Sequence, residues 1–216
     1  MSSSGENTME TTERRTGAED APRTVHLAVY DGLADWEAGH AIAELNGRGF
    51  RVRAVGAGPG PVTTMGGLRV LPDLTLGELR ARDSALLILP GSAGWDGGGL
   101  AEFGRAARRF LDAGVPVAAI CGAVAGLARE GLLDTRAHTG AAAPVLAATG
   151  YAGGAGYREA DAVTDGDLIT AGPTDQEAFA REILRRLEVF PPEVLEAWFR
   201  LYAESDASAY PLVAGA

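Results

Sequence analysis

The chain has 216 residues and a formal net charge of −10, and all 19 of its basic residues are arginine. The acidic balance is atypical of nucleic-acid-binding proteins, which present a basic face, and no apolar stretch reaches the roughly 18 residues of a membrane span. With three histidines and one cysteine, no metal-ligand spacing occurs and no internal disulfide can form. The composition therefore predicts a protein of the reducing cytoplasm without metal or other cofactor.

Residues 1–22 are rich in Ser, Thr, Glu and Gly and contain almost no large apolar side chains. They lack the apolar run of a secretion signal, and a segment that can bury so little surface predicts a disordered tail. We expect one domain over residues 23–190. Residues 191–216 are predicted to add a C-terminal helix and tail that pack on the domain or on a dimer partner.

Buried strands alternate with helices along the rest of the chain. The predicted strands and hairpins are 25–30, 50–55, 62–71, 85–89, 116–120, 136–139 and 157–171, and the predicted helices are 35–46, 100–113, 122–129, an Ala-rich segment through 146, 179–187 and 194–202. This alternation predicts an α/β fold with a doubly wound, mostly parallel sheet and helices on both faces. In such folds, small molecules bind at the carboxyl ends of the strands.

The single cysteine stands where a buried strand is predicted to turn into a helix. Cys121 follows an apolar run and has small neighbours at Ala119, Gly122 and Ala123. A nucleophile elbow needs small residues at these places because the backbone folds back on itself. The local pattern leaves a second interpretation open, a buried structural cysteine.

Two other predicted strand ends carry residues suited to the same site. Glu37 follows the first strand, and Gly91-Ser92 follows the strand at 85–89. Asp35 is interpreted as the cap of the first helix, with a place at the pocket as the alternative. We expect Trp36 to pack in the core and Trp95, in a glycine-rich loop, to line a pocket for a small-molecule substrate.

Together these features resemble the ThiJ/PfpI superfamily, which is related to the class I glutamine amidotransferases. The matching segments are 31–37, 89–92, 118–122, 131–140 and 164–171. The resemblance implies a flavodoxin-like fold over about residues 25–190, with Cys121 as the reactive cysteine and Glu37 as the acidic residue that contacts it. It also implies a homodimer.

These assignments lead to a specific chemical hypothesis. The N–H groups of Gly122 and Ser92 would form an oxyanion site, next to a thiolate favoured by the start of the following helix. Glu37 would be protonated and donate a hydrogen bond to sulfur, because a carboxyl desolvated beside a thiolate has a raised pKa. Members with protease-like or deglycase-like chemistry have a histidine where this chain has Gly140, so His138 remains only as a possible base.

Three functions are compatible with this sequence. The first is a cysteine-dependent hydrolase or lyase acting on a small reactive carbonyl, amide or isonitrile-like molecule. The second is a non-catalytic redox or stress-response protein in which Cys121 is reversibly oxidised. The third, a glutamine amidotransferase, is disfavoured because no histidine follows His138.

The last predicted helix provides the other argument for a dimer. Its large apolar side chains exceed what a short surface helix usually exposes, and burial against the domain or a second subunit would account for them. These residues are Leu195, Trp198, Phe199 and Tyr202.

Overall fold

A computed structural model describes residues 23–216, so the predicted tail at 1–22 lies outside the described residues. The described residues form nine strands and seven α-helices. The strands are β1 (Arg23–Ala28), β2 (Phe50–Gly56), β3 (Val62–Thr63), β4 (Arg69–Val70), β5 (Leu74–Thr75), β6 (Leu86–Leu89), β7 (Val117–Ile120), β8 (Ala162–Asp165) and β9 (Leu168–Ala171). The helices are α1 (Gly39–Gly47), α2 (Ala101–Asp112), α3 (Gly122–Arg129), α4 (Ala143–Ala147), α5 (Gln176–Arg186), α6 (Pro192–Ala203) and α7 (Tyr210–Ala214).

The main sheet has seven strands in the order β5-β2-β1-β6-β7-β9-β8. All neighbouring pairs are parallel except β8 and β9, which form an antiparallel hairpin at one edge. Strands β3 and β4 pair separately, as an antiparallel hairpin. This arrangement confirms the predicted α/β fold, and it brings the carboxyl ends of β1, β6 and β7 together because those strands are adjacent.

Each face of the sheet is covered by helices. On one face, α2 and α3 pack through residues such as Phe103, Phe110 and Leu127. On the other face, α1, α5 and α6 pack through residues such as Leu45 and Phe179. The apolar strands are buried on both sides, as expected when helices cover both faces of a parallel sheet.

Several predicted boundaries are wrong for identifiable reasons. Helix α1 begins at Gly39 rather than at residue 35, and Ala38 is its N-cap, so the prediction of Asp35 as the cap is wrong. The Asp35 carboxylate instead accepts a hydrogen bond from the Gly66 N–H at 2.6 Å. Residues 136–139 form no strand but a single bridge at His138, because the N–H of the preceding residue donates to a side-chain carboxylate.

The C-terminal helix packs against its own chain. Leu195 and Trp198 of α6 are buried in the cluster that also contains α1 and α5, and the Trp198 indole N–H donates to Glu44 at 3.0 Å. Tyr202 is the most exposed of the four large apolar residues, at 43%. Burial within one chain thus accounts for this helix without a second subunit. Within residues 23–216, no helix combines the length and apolarity that a bilayer crossing requires.

Candidate active site

Cys121 lies between the end of β7 and the start of α3, in an unusual backbone conformation. Its φ is 58° and its ψ is −124°, a region that residues other than glycine rarely adopt and that costs on the order of 1–3 kcal/mol. The surrounding structure holds it there, because its N–H donates to Ala171 O and its carbonyl accepts from Val124 N, both at 3.1 Å. The half-buried thiol therefore sits on a sharp strand-to-helix turn.

Glu37 is buried next to this cysteine, with only 2% of its surface exposed. The Gly91 N–H donates to Glu37 Oε2 at 2.5 Å. A Cβ at position 91 would lie 2.9 Å from Cys121 Cβ and 2.9 Å from both Glu37 carboxylate oxygens. Position 91 therefore lies directly against both functional groups, and only glycine fits between them.

The two groups oppose each other's ionisation. Burial raises the pKa of the Glu37 carboxyl, and hydrogen bonds from the Gly91 N–H and the Cys121 thiol partly offset that rise. The pKa of the Cys121 thiol is also raised, to about 11, first by burial and then by the charge of the Glu37 carboxylate. Because two adjacent negative charges are unfavourable in a desolvated site, the thiolate is favoured only when Glu37 carries a proton.

The predicted oxyanion residues lie close to each other. A Cβ on Gly122 would be 3.0 Å from the Ser92 carbonyl oxygen and 3.6 Å from Ser92 N. The Ser92 hydroxyl donates to Asp31 O and accepts from Gly94 N, both at 3.0 Å, which fixes the loop. Across the described residues, the Ser92 N–H makes no hydrogen bond. The Gly122 N–H acts on the cysteine, since its hydrogen bond lowers the pKa of the Cys121 thiol.

The predicted roles of the two tryptophans are reversed. Trp95 is 1% exposed, so the prediction that it lines a pocket is wrong, and Trp36 is 50% exposed, so the prediction that it packs in the core is also wrong. Trp36 instead borders a shallow cavity of about 480 Å³, with Asp35, Met65, Gly66 and Leu68 as the other lining residues. Asp35 thus lies at a cavity whose lining does not include Cys121 or Glu37.

The β3–β4 hairpin that forms this cavity is tied to the segment preceding Glu37. Besides the bond from Gly66 to Asp35, the Thr63 N–H donates to Asp31 Oδ1 at 2.8 Å. The hairpin is therefore hydrogen-bonded to the segment that leads to Glu37.

The prediction of His138 as a possible base is wrong. Its side chain is fully buried, its Nδ1 lies 2.8 Å from Arg136 O, and its Nε2 lies 3.0 Å from the Tyr151 hydroxyl. Both ring nitrogens are therefore engaged away from the cysteine. The other two histidines bind elsewhere as well, His26 to Ser84 and His40 to Glu177.

Three residues that shape the site were not anticipated. Tyr30 hydrogen-bonds to Pro90, just before Gly91, and Asp96 is close enough for its charge to raise the pKa of Cys121. Gly126, on the helix that follows the cysteine, makes room for the buried Trp95 ring. Of these three residues, only Gly126 could have been identified from the sequence, because a glycine inside a predicted helix often marks a place where another group packs closely against the helix.

In the described part of the chain, no group of three His, Cys, Asp or Glu residues has the geometry to hold a metal ion.

The fold is α/β, with a cysteine at the turn between a parallel strand and a helix, and comparison with known sequences assigns the family. Residues 23–186 match the DJ-1/PfpI family, so the chain belongs to it. A relative from Bacillus subtilis called "Uncharacterized protease YoaZ" is 38% identical over 189 residues, which cover 83% of this chain and 90% of the relative.

Solved structures agree with this assignment. A thiJ/pfpI family protein from Bacillus anthracis is 35% identical with a TM-score of 0.85, and the match covers 89% of this chain and 96% of that one. The DJ-1 superfamily protein Atu0886 from Agrobacterium tumefaciens is 36% identical with a TM-score of 0.79, covering 84% and 98%. The ThiJ/PfpI resemblance inferred from the sequence is therefore confirmed.

Proposed function

We propose that this chain is a cysteine-dependent hydrolase or lyase in which Cys121 attacks the electrophilic carbon of a small molecule. The observation that carries the proposal is the contact at Gly91, where the cysteine Cβ and both Glu37 oxygens would each lie 2.9 Å from a single added atom. A strained thiol beside a buried carboxyl is the kind of pairing that recurs at functional sites.

In this proposal, Glu37 is the proton donor to sulfur and not the general base. Its buried environment raises the pKa of its carboxyl, which favours the protonated form beside a thiolate. When the thiolate attacks, its electron pair forms the S–C bond, and charge develops on the carbonyl oxygen or equivalent atom of the substrate. The N–H groups of Gly122 and Ser92 then stabilise that charge, each contributing on the order of 3 kcal/mol if preorganised.

All three histidines are bonded to groups away from Cys121, and this restricts the class of substrate. Hydrolysis of an unactivated amide requires a group that protonates the leaving nitrogen, commonly a histidine. Substrates whose carbon is already electrophilic, such as aldehydes or isonitrile-like compounds, need less of that assistance. We therefore favour a reactive carbonyl or isonitrile-like compound over peptides and glutamine, although the Bacillus subtilis relative is called a protease.

The test is a turnover assay with small aldehydes, amides, isonitriles and glutamine as separate substrates. We expect activity on a reactive carbonyl or isonitrile, its loss in Cys121→Ser, and a large decrease in Glu37→Gln. Glu193→Gln, a carboxyl-to-amide change at an exposed position of α6, serves as the matched control. Turnover that persists in Cys121→Ser would refute the proposal, and Cys121-dependent ammonia release from glutamine would favour the amidotransferase alternative.

A second candidate is a redox or stress-response role without turnover. It is favoured by the combination of a half-buried thiol with a carboxyl neighbour and no histidine among its hydrogen-bond partners. One peroxide converts the thiol to a sulfenic acid and water, and a second peroxide gives the sulfinic acid, which Glu37 would hydrogen-bond. Stoichiometric sulfinate at Cys121 by intact mass, with no turnover of any substrate, would select this function.

The resemblance also leads us to propose a homodimer acting in a reducing compartment. The exposed apolar side chains on and beside the hairpin, namely Trp36, Met65, Leu68 and Leu71, are the surface best suited to a second copy. Sedimentation of the wild type and of Leu68→Glu tests this, since a dimer through this surface dissociates in the variant. An unchanged dimer would place the interface elsewhere.

A further inference from the structure

The peptide group that joins Pro90 to Gly91 is held at both of its polar ends. Its carbonyl oxygen accepts hydrogen bonds from the Tyr30 hydroxyl and, at 3.1 Å, from the Trp95 indole Nε1. Its N–H donates to Glu37 Oε2 at 2.5 Å. Because a trans peptide is planar, its carbonyl and N–H point in opposite directions, so fixing the carbonyl also aims the N–H at the carboxyl.

The groups that hold the carbonyl form a closed set in the core. Trp95 Nε1 also donates to the Tyr30 hydroxyl oxygen at 3.1 Å, and that hydroxyl gives its single proton to Pro90 O. The Tyr30 ring packs edge-on against Trp95 and Phe103, with centroid distances of 5.8 and 5.0 Å. Rotating the peptide would leave buried polar groups unpaired, which is costly. The observed orientation is therefore strongly preferred.

We propose that Tyr30 and Trp95 are positioning residues that aim the Gly91 N–H at Glu37 and thereby control how readily the Cys121 thiol ionises. The inference rests on the proposed function only in taking Cys121 as the reacting group. The Gly91 N–H stabilises the charged carboxylate, and a charged carboxylate opposes the thiolate. Loosening the peptide favours protonated Glu37 and so increases the fraction of thiolate at neutral pH.

Two other titratable groups face this pair. Asp96, in the loop after Ser92, acts on the Cys121 thiol through its charge. Tyr30 lies just beyond the end of β1. Burial raises the pKa of its hydroxyl well above the ordinary value, and negative charge on Glu37 or Cys121 raises it further. Tyr30 is thus protonated and able to donate throughout the neutral range. Conservative changes at Tyr30 or Trp95 leave the charges of the site intact.

The test measures alkylation of Cys121 by iodoacetamide as a function of pH, using intact mass and no substrate. Because the chain has one cysteine, the mass increase reports that residue alone. In Tyr30→Phe, which removes only the hydroxyl, we expect the rate at neutral pH to rise about fivefold, the effect of losing one hydrogen bond. The rate at the alkaline plateau should not change.

Trp95→Phe, which keeps an aromatic ring but removes the N–H donor, should shift the profile in the same direction. Tyr151→Phe is the matched control, because it removes a hydroxyl bonded to His138 and not to the 90–92 segment. A rate increase that is uniform over all pH values would indicate only greater access to the thiol and would overturn the inference. An unchanged profile in both variants would overturn it as well.

These outcomes are separate from those of the turnover assay. A shifted alkylation profile in a protein without turnover refutes the proposed catalytic function but leaves the positioning role intact. Cys121-dependent turnover together with an unshifted alkylation profile supports the catalytic function and refutes the positioning role.

Discussion

Trp95 packs on Gly126 so closely that a Cβ at position 126 would lie 2.1 Å from the indole Cε3. This contact joins the glycine-rich loop after β6 to the helix that begins just after Cys121. The Arg129 side chain strengthens the same junction by donating to the Trp95 carbonyl at 2.9 Å. The loop and the helix are therefore held together by packing as well as by hydrogen bonds.

The Trp95–Gly126 contact predicts that Gly126→Ala is destabilising. The added methyl group must displace a buried ring, and overpacking of this kind costs about 1–3 kcal/mol or more. The matched control is Gly47→Ala in α1, where an added Cβ meets no atom within 4 Å. Urea denaturation of both variants checks the prediction, and equal stabilities would contradict it.

Gly91→Ala is predicted to abolish turnover that depends on Cys121 while the protein remains folded. The methyl group would press on the cysteine Cβ and on both Glu37 oxygens, each at 2.9 Å. These side chains must shift to make room for the methyl group, which disrupts the arrangement of thiol and carboxyl. The turnover assay and circular dichroism measure the two effects, with Gly58→Ala, which meets no neighbour, as the control. Turnover as fast as in the wild type would show that the site tolerates a side chain at position 91.

The half-buried thiol should make folding stability depend on pH in the alkaline range. The pKa of Cys121 is raised from 9.0 to about 11 in the folded protein, so the unfolded chain releases this proton first. The resulting stability is fully present below about pH 9 and is lost as the pH rises towards 11, because the folded state binds the extra proton in that window. Cys121→Ala should lose less stability over that range, by on the order of 1 kcal/mol after solvent screening. Parallel losses in both proteins would contradict this assignment.

The two differently placed tryptophans should respond differently to truncation. Trp198 is fully buried and bonded to Glu44, so Trp198→Ala should cost about 3–5 kcal/mol. Trp36→Ala should change the free energy of unfolding of the monomer by about 0.5 kcal/mol or less, because half of that side chain is exposed. Thermal denaturation at low protein concentration gives the comparison, and a large loss in Trp36→Ala would indicate a contact not present within the chain.

The central part of the fold could be predicted from sequence because its signals are local. The runs of four apolar residues at Leu86–Leu89 and Val117–Ile120 indicate buried strands, and small residues around Cys121 predict the turn. The irregular segments could not be predicted in this way. The start of α1 depends on where the Asp35 carboxylate finds a donor, and that donor, the Gly66 N–H, lies 31 residues away in a hairpin.

The tryptophans show the same limit. Helical periodicity from residue 35 would place Trp36 on an inward face, but residues 35–38 form turns instead of helix. A glycine-rich setting suggested that Trp95 lines a pocket, yet Gly126 provides space for its ring in the core. Complementary pairs that are distant in sequence cannot be recognised by reading either member alone.

The attachment of the hairpin through Asp31 and Asp35 connects a surface element to the segment that carries the acid of the site. We expect substitutions in residues 62–70 that break these hydrogen bonds to shift the segment that leads to Glu37 while the seven-stranded sheet stays in place. Substitutions in this surface hairpin can thus alter the chemistry of the site without a change in the core. The hairpin is therefore a suitable segment to randomise in the laboratory.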